Sequence, residues 1–122
     1  MLLYEKLAKD VLDASIEVHK ILGSNLLEAN YEKALFHELR LRGFDCKRQE
    51  PINVYYKGVE IGIYYADIVV EDKIILELKS ATSLCNEHLA QVIHYLSATD
   101  YSLGLLINFG AKKLEFKRVL KN

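Results

Sequence analysis

The chain has 122 residues, of which 51% are hydrophobic and 27% are charged, and its formal net charge is -1 at pH 7. This composition is typical of an ordinary globular protein and predicts a single domain over residues 1–122. No apolar run approaches the length of a membrane span, and the start becomes charged too soon for a signal peptide, so we expect a cytoplasmic protein. The net charge does not indicate nucleic-acid binding, although a local basic patch would be enough to contact phosphate.

Two helices are predicted in the first third of the chain. Apolar residues recur at helical spacing over residues 3–22, which predicts an amphipathic helix that ends at Gly23. Ser24 or Asn25 can cap a second helix, which runs through Arg42.

Two carboxylates border the buried stripe of this second helix. Glu28 and Glu32 lie one turn apart, with Tyr31 between them. Acids at these positions can serve a functional site, or they can simply be favoured by the helix dipole near an N-terminus. We prefer the second interpretation for Glu32.

The rest of the chain predicts strands and one further helix. Strands are predicted over residues 44–49, 52–56, 59–63, 65–70 and 74–79, a helix from about residue 84 to 99, and strands over 103–108 and 114–120. A strand, a crossover helix and a strand form a parallel unit, whereas the hairpins are antiparallel. We therefore expect an α/β fold with a mixed central β-sheet flanked by helices on both faces.

The most informative feature is the hairpin predicted between residues 65–70 and 74–79. A three-residue turn fixes the register so that Asp67 lies opposite Glu77. Because side chains alternate along a strand, Asp67, Glu77 and Lys79 are expected to project to one face. Charged residues in two otherwise apolar strands are costly unless they are paired or bind a metal. The hairpin therefore predicts a site.

The residue types at this site suit a hard cation and a polarised water. Paired carboxylates offer oxygen ligands to Mg²⁺, which keeps several waters and suits phosphate substrates. A nearby lysine such as Lys79 can orient the attacking water or stabilise negative charge in the transition state. The alternative is a solvated pair of Glu77 and Lys79 on an exposed sheet face, with Asp67 as a strand-end residue.

A polar flank is predicted on the third helix. His88, Gln91 and Tyr95 fall at positions i, i+3 and i+7, beside an apolar stripe. These side chains can contact a substrate, or they can tie the helix to the sheet by hydrogen bonds. The sequence alone leaves both alternatives open.

At this point the residues resemble a known family. The segment from Leu22 to Leu35, which reads LGSNLLEANYEKAL, is similar to the signature of the GxxExxY proteins, a small bacterial and archaeal group within the PD-(D/E)XK nuclease superfamily. The likeness covers nearly the whole chain, including Ala66-Asp67, Glu77-Leu78-Lys79, His88-Leu89-Ala90-Gln91 and Tyr95-Leu96. Asn25 stands where the family name records Gly, and Tyr65 stands where Arg is expected before Ala-Asp.

The resemblance implies a restriction-endonuclease-like fold and hydrolysis of phosphodiester bonds in nucleic acid, DNA or RNA, with Mg²⁺ or Mn²⁺ as cofactor. It implies that Asp67, Glu77 and Glu28 hold the metal, that Lys79 and Gln91 complete the catalytic set with the first two, and that His88, Tyr95 and Tyr31 contact the substrate. It is also compatible with a homodimer, since many nucleases form dimers that cut both strands of a duplex. The alternative is a catalytically inactive nuclease-like domain that binds nucleic acid or a protein partner.

Overall fold

Five strands form one mixed sheet with helices on both faces in the computed structural model, which describes residues 3–122. In chain order the elements are α1 (Glu5–Leu22), α2 (Glu28–Leu41), β1 (Cys46–Tyr56), β2 (Val59–Val70), β3 (Ile74–Lys79), α3 (Asn86–Ser97), β4 (Leu103–Asn108) and β5 (Glu115–Leu120). The sheet order follows the chain from β1 to β5; β3 and β4 are parallel, and the other neighbours are antiparallel. The predicted mixed sheet is confirmed.

Two separate cores hold the helices against the sheet. On one face α1 and α2 pack on the sheet through Val11, Val18, Tyr31, Leu35, Ile68, Leu76, Leu78 and Leu105. On the other face α3 packs through Val92, Tyr95, Leu96, Val69, Ile75 and Leu106. The predicted helices on both faces are therefore confirmed. None of the helices in the part of the chain that the structure describes is long and apolar enough to cross a membrane.

The start of the second helix differs from the sequence prediction. The helix is capped by Leu27, in an extended conformation, and not by Ser24 or Asn25. The Tyr31 hydroxyl donates a hydrogen bond to the Gly23 carbonyl at 2.5 Å. This bond holds the loop before α2 against the helix, because it ties the first turn back to the end of α1. The helix consequently starts later than the cap preferences indicate.

The two strands of the first hairpin are longer than predicted. Residues 44–56 and 59–70 were each expected to hold two strands, but β1 runs unbroken through Pro51, and β2 is also continuous. Proline has no backbone N–H, and it is tolerated there because β1 is an edge strand. The outer side of an edge strand has no neighbouring strand that requires a backbone donor. Between the strands, Lys57 and Gly58 form the predicted turn with positive φ values of 47° and 85°.

The hairpin of β2 and β3 has the predicted register. Val70 lies opposite Ile74, Val69 opposite Ile75 and Ile68 opposite Leu76. The pairing ends there, one residue before Asp67 and Glu77. These two residues therefore stand where the strands separate, and β3 continues alone beside β4 as far as Lys79.

Candidate active site

Asp67 occupies the fork between β2 and β3. Its Oδ2 atom accepts the backbone N–H of Leu78 at 2.8 Å, across the gap that opens after the last strand pair. Its Oδ1 atom faces the side-chain amide of Gln49, with Nε2 at 3.5 Å. Because each oxygen has a donor on a different strand, the carboxylate is held in one orientation.

Glu77 is a buried carboxyl group next to Asp67. It is 3% exposed, and burial, together with a hydrogen bond to Asp67 and the negative charge of Asp67, raises its pKa to about 9. The ammonium of Lys79 opposes this shift. Burial and the neighbouring Asp67 therefore favour the protonated form of Glu77 at neutral pH. Two carboxyl groups in this relationship offer oxygen ligands to a divalent cation, which would displace the proton.

Glu28 and Lys79 lie within electrostatic reach of this pair. Glu28 is an exposed residue in the first turn of α2, and partial burial raises its pKa. The positive charge of Lys79 lowers that pKa and the negative charge of Asp67 raises it. Helix α2 and the β2–β3 fork thus bring the predicted metal ligands and the predicted lysine together.

The three predicted metal ligands are not all in contact. Among residues 3–122, no three His, Cys, Asp or Glu side chains are close enough to hold a metal ion jointly. The donor set that fits a hard cation is therefore the pair of Asp67 and Glu77, with Glu28 at its edge.

A polar network beside the fork was not found from the sequence. Glu32 is buried, and it accepts hydrogen bonds from Gln49 Nε2 at 2.5 Å and from Arg48 Nε at 3.2 Å. Burial nevertheless raises its pKa, with a further contribution from Asp67. The sequence prediction explained Glu32 by the helix dipole alone and did not include these hydrogen-bond partners.

Gln49 joins this network to Asp67 through an unusual backbone conformation. It has φ of 50° in the middle of β1, although its neighbours Arg48 and Glu50 keep ordinary strand pairing with Ile68 and Ala66. A left-handed conformation costs a non-glycine residue on the order of 1 kcal/mol. The side-chain contacts of Gln49 to two carboxylates offset this cost.

A cavity of about 250 Å³ opens between α2 and this network. Its lining consists of Glu28, Ala29, Glu32, Gln49 and Asp67. A larger cavity of about 590 Å³ lies between α1 and β5, and its lining includes Leu12, Ile16 and Phe116 but none of the predicted site residues. Because the smaller cavity holds the carboxylates, we place the candidate site there.

Helix α3 supplies a hydrogen-bonded pair near Glu77. Gln91 Nε2 donates to the Tyr95 hydroxyl at 2.9 Å. Tyr95 is buried, and burial raises its pKa to about 12, with a further contribution from the charge of Glu77. The hydroxyl is therefore a protonated neighbour of Glu77. Its burial suits the orientation of that carboxyl better than contact with a macromolecular substrate.

The two other predicted substrate contacts have mainly local partners. Tyr31 is fully buried and stacks on Phe109 with 4.7 Å between ring centroids, which leaves no surface for a substrate. His88 is half-buried, and its Nδ1 accepts the Cys85 N–H at 3.3 Å, at the start of α3.

Comparison with known proteins shows which family the chain belongs to. Residues 5–119 match the family model of the PD-(D/E)XK nuclease superfamily, so the match includes every residue of the candidate site. The chain belongs to the PD-(D/E)XK nuclease superfamily. A comparison with curated proteins gives no match.

A solved structure supports the fold. The chain is similar to SSO0001, known from a crystal structure, with a TM-score of 0.60 and 17% sequence identity over 97% of this chain. The likeness covers 60% of the SSO0001 chain, so this chain spans less than two thirds of that protein. At this identity the likeness concerns the fold alone, and it agrees with the predicted restriction-endonuclease-like fold.

Proposed function

We propose that this chain is a metal-dependent nuclease of the GxxExxY group that hydrolyses phosphodiester bonds in nucleic acid. The observation that carries the proposal is the position of the Asp67 carboxylate beside the buried Glu77 at the β2–β3 fork, two residues before Lys79. In a chain of the PD-(D/E)XK superfamily, this is the chemistry expected of a nuclease site.

The proposed cofactor is Mg²⁺ or Mn²⁺. Asp67 and Glu77 would hold the ion, with Glu28 approaching from α2 and the Leu78 carbonyl as a further oxygen. When bound, the ion supplies positive charge to a water and to a phosphate oxygen. Since the pKa of Glu77 is raised to about 9, Glu77 would have to release its proton in order to hold the ion at neutral pH.

The protein side chains then have separate roles. The Lys79 ammonium positions the attacking water and stabilises the charge that develops on the phosphate. The oxygen of that water forms a bond to phosphorus as the bond from phosphorus to the leaving oxygen breaks. The water gives up a proton to the solvent, and the leaving oxygen takes up a proton from the solvent. Gln91 and Tyr95 orient the Glu77 carboxyl, because the Gln91–Tyr95 hydrogen bond borders it. His88, near the start of the same helix, remains the proposed contact to the substrate.

A cleavage assay tests the proposal. The parent protein is incubated with a mixed panel of single-stranded and double-stranded DNA and RNA, in Mg²⁺, in Mn²⁺ and in a chelator. We expect metal-dependent cleavage of at least one substrate and its loss in Asp67→Asn. Cleavage that survives both the chelator and the Asp67 substitution would place the chemistry elsewhere.

One observation favours a second candidate, a nuclease-like domain that binds nucleic acid or a protein without cutting. Within residues 3–122 the three predicted carboxylate ligands do not form one metal-binding group. Titration with Mn²⁺ separates the candidates, since a nuclease must bind the ion through Asp67 and Glu77. A protein that binds nucleic acid but no Mn²⁺ would be the inactive domain.

A further inference from the structure

A groove runs between α1 and the edge strand β5, on the face of the sheet opposite α3. Its larger part is the cavity of about 590 Å³ described above, and a second cavity of about 200 Å³ adjoins it. Both cavities are lined by Lys9, Leu12 and Phe116, so they form one elongated depression, which we call the α1–β5 groove. Its lining contains none of the candidate site residues, so it is a separate feature of the surface.

The floor of the groove is apolar. Leu12 and Ile16 lie one turn apart on α1, and Leu114 and Phe116 line the groove from the side of β5. Ile16 is 53% exposed and Phe116 is 50% exposed, so no element within residues 3–122 covers them. An open apolar groove of this kind fits a partner that brings apolar side chains of its own.

One end of the groove is positively charged. The His19 ring lies 3.0 Å from the Ala111 carbonyl oxygen, and this contact ties the loop before β5 to the last turn of α1. Among residues 3–122, the only acid that lines the larger cavity is Asp13, which pairs with Lys9 at 3.0 Å. Three exposed lysines of the lining have no ion-pair partner in the same part of the chain, namely Lys20, Lys112 and Lys113.

The other wall of the groove is a strand with a free edge. β5 pairs with β4 over all six residues without a bulge, and in the described residues, 3–122, no strand pairs with its other side. Phe116 lies opposite Ile107 and therefore faces the α1 side of the sheet. A groove between an edge strand and a helix can receive an extended segment, whose backbone pairs with the strand and whose alternate side chains enter the groove.

The charges indicate which segment fits. Two β5 strands that paired edge to edge would bring Lys117 and Arg118 of both copies together, and facing like charges disfavour this pairing. A phosphate backbone suits the lysines, but it has no group that fills an apolar floor. A peptide with apolar and acidic residues suits both, and its intervening side chains lie on the face of the sheet that carries Lys117.

We propose that the α1–β5 groove binds an extended acidic segment of a partner protein, which adds a strand to the edge of β5. Apolar side chains of this segment pack on Leu12, Ile16 and Phe116, and its carboxylates lie beside the three exposed lysines. The interaction uses none of the candidate site residues. It therefore goes beyond the nuclease activity proposed above and does not depend on it.

Selection from a displayed library of short random peptides tests the proposal. The metal-free parent protein is the bait, so the result is independent of cleavage. We expect the enriched peptides to share apolar residues at alternate positions, together with aspartate or glutamate. A labelled synthetic copy of the most enriched peptide then gives the affinity for the purified protein by fluorescence anisotropy.

Substitutions on the floor locate the peptide. Ile16→Glu and Phe116→Glu should each weaken its binding by about tenfold or more, because each replaces an apolar contact with a charge that repels an acidic partner. The control is Ile21→Glu, since Ile21 is 70% exposed on α1 and does not line the groove. Melting temperatures show whether each variant is folded.

A double substitution, Lys112→Gln with Lys113→Gln, tests the charge. Peptide affinity should fall about tenfold and should depend less on salt than in the parent, because two exposed cations are lost. Lys33→Gln with Lys73→Gln removes two exposed lysines outside the groove and should leave the affinity unchanged.

The proposal is overturned if no peptide is enriched, if the enriched peptides lack acidic residues, or if they bind the two floor variants like the parent. Unchanged affinity in the double lysine variant would exclude an acidic partner. If no peptide is enriched and the double lysine variant binds DNA more weakly than the parent, the lysines serve nucleic acid. That result also counts against the peptide.

Amide hydrogen exchange tests the added strand. When the selected peptide saturates the protein, amides of residues 115–120 should exchange more slowly, because those on the outer edge of β5 gain hydrogen-bond acceptors. The amides of β1, the edge strand at the other end of the sheet, are the internal control. Tight peptide binding with unchanged exchange in β5 would contradict strand addition.

Discussion

Asp67 on β2 accepts the backbone N–H of Leu78 on β3 at 2.8 Å, directly after the last paired residues of the two strands. A buried backbone donor without a partner is costly, and here the carboxylate satisfies it. The same side chain that belongs to the candidate site therefore also closes the fork. A substitution that tests the site must therefore keep a hydrogen-bond acceptor at position 67, so that the fold is preserved while the charge is removed.

Asp67→Asn should abolish measurable Mn²⁺ binding without unfolding the protein. The Asn oxygen can still accept the Leu78 N–H, whereas the charge that attracts the ion is gone. Calorimetric titration with Mn²⁺ and thermal melting test both parts. Asp72→Asn is the matched control, because Asp72 lies in the exposed turn of the same hairpin and pairs with Lys47. Equal affinity in the parent and in Asp67→Asn would remove Asp67 from the metal site.

Glu77→Gln should also abolish Mn²⁺ binding, and it should change how stability depends on pH. The pKa of Glu77 is about 9 in the folded protein and near 4.5 in the unfolded chain, so the folded state binds more protons between these values. The metal-free parent is therefore expected to lose stability as the pH rises through this window. Glu77→Gln lacks this loss and should become the more stable protein at alkaline pH.

Urea unfolding at pH values from about 5 to about 9 measures this difference. In the parent, Mn²⁺ binding near neutral pH should also release about one proton, which calorimetry in two buffers of different ionisation enthalpy detects. Parallel stability curves for the parent and Glu77→Gln would show that Glu77 is ionised in the folded state.

Much of the hairpin follows from local sequence, whereas the network around it does not. The three-residue turn and the alternating apolar residues fix the register of Ile68 with Leu76, because neighbouring residues determine it. The bonds of Gln49 to Glu32 and Asp67 join residues 17 and 18 positions apart. Their formation requires a left-handed glutamine inside a strand, which no local preference indicates. The delayed start of α2 has a similar cause, since the Tyr31 hydroxyl outweighs the capping preference of Ser24 and Asn25.

Gln49→Gly should weaken Mn²⁺ binding by releasing Asp67 from its orientation, without lowering the stability of the fold. Glycine adopts a φ of 50° without strain, and this gain offsets the loss of the hydrogen bond to Glu32, so the melting temperature should change little. Loss of the amide frees Asp67 Oδ1, and Mn²⁺ affinity should fall about tenfold, as for other residues that orient metal ligands.

The matched control for Gln49 is Asn53→Ala. Asn53 also lies on β1, and its amide also bonds a carboxylate, that of Glu60, but far from the fork. This variant should bind Mn²⁺ like the parent. A lower melting temperature with unchanged affinity in Gln49→Gly would assign Gln49 a structural role only.

Lys79→Met should keep Mn²⁺ affinity within a few-fold and remove cleavage. An ammonium group is no metal ligand, but its charge acts on the water and on the reacting phosphate. Lys79 also lowers the pKa of Glu77 and of Glu28. In Lys79→Met, protons therefore compete somewhat more strongly with Mn²⁺ for these two carboxylates, which explains a small loss of affinity. Lys73→Met, in the exposed hairpin turn, serves as the control. Full cleavage by Lys79→Met would move the chemistry away from this residue.

Gln91→Ala should lower cleavage substantially, whereas His94→Ala should leave it unchanged. Gln91 Nε2 donates to the Tyr95 hydroxyl at 2.9 Å, and that hydroxyl lies near Glu77. His94 is exposed on another side of the same helix, where its ring contacts Tyr64 edge-on at 5.6 Å. Single-turnover cleavage per folded molecule, measured at matched stability, separates the two variants. Because Gln91 acts through Tyr95 and Glu77, its loss should also shift the pH profile of cleavage. If Gln91→Ala only lowers the melting temperature while turnover and pH profile stay normal, the Gln91–Tyr95 pair serves packing, and the active site is confined to the strand fork.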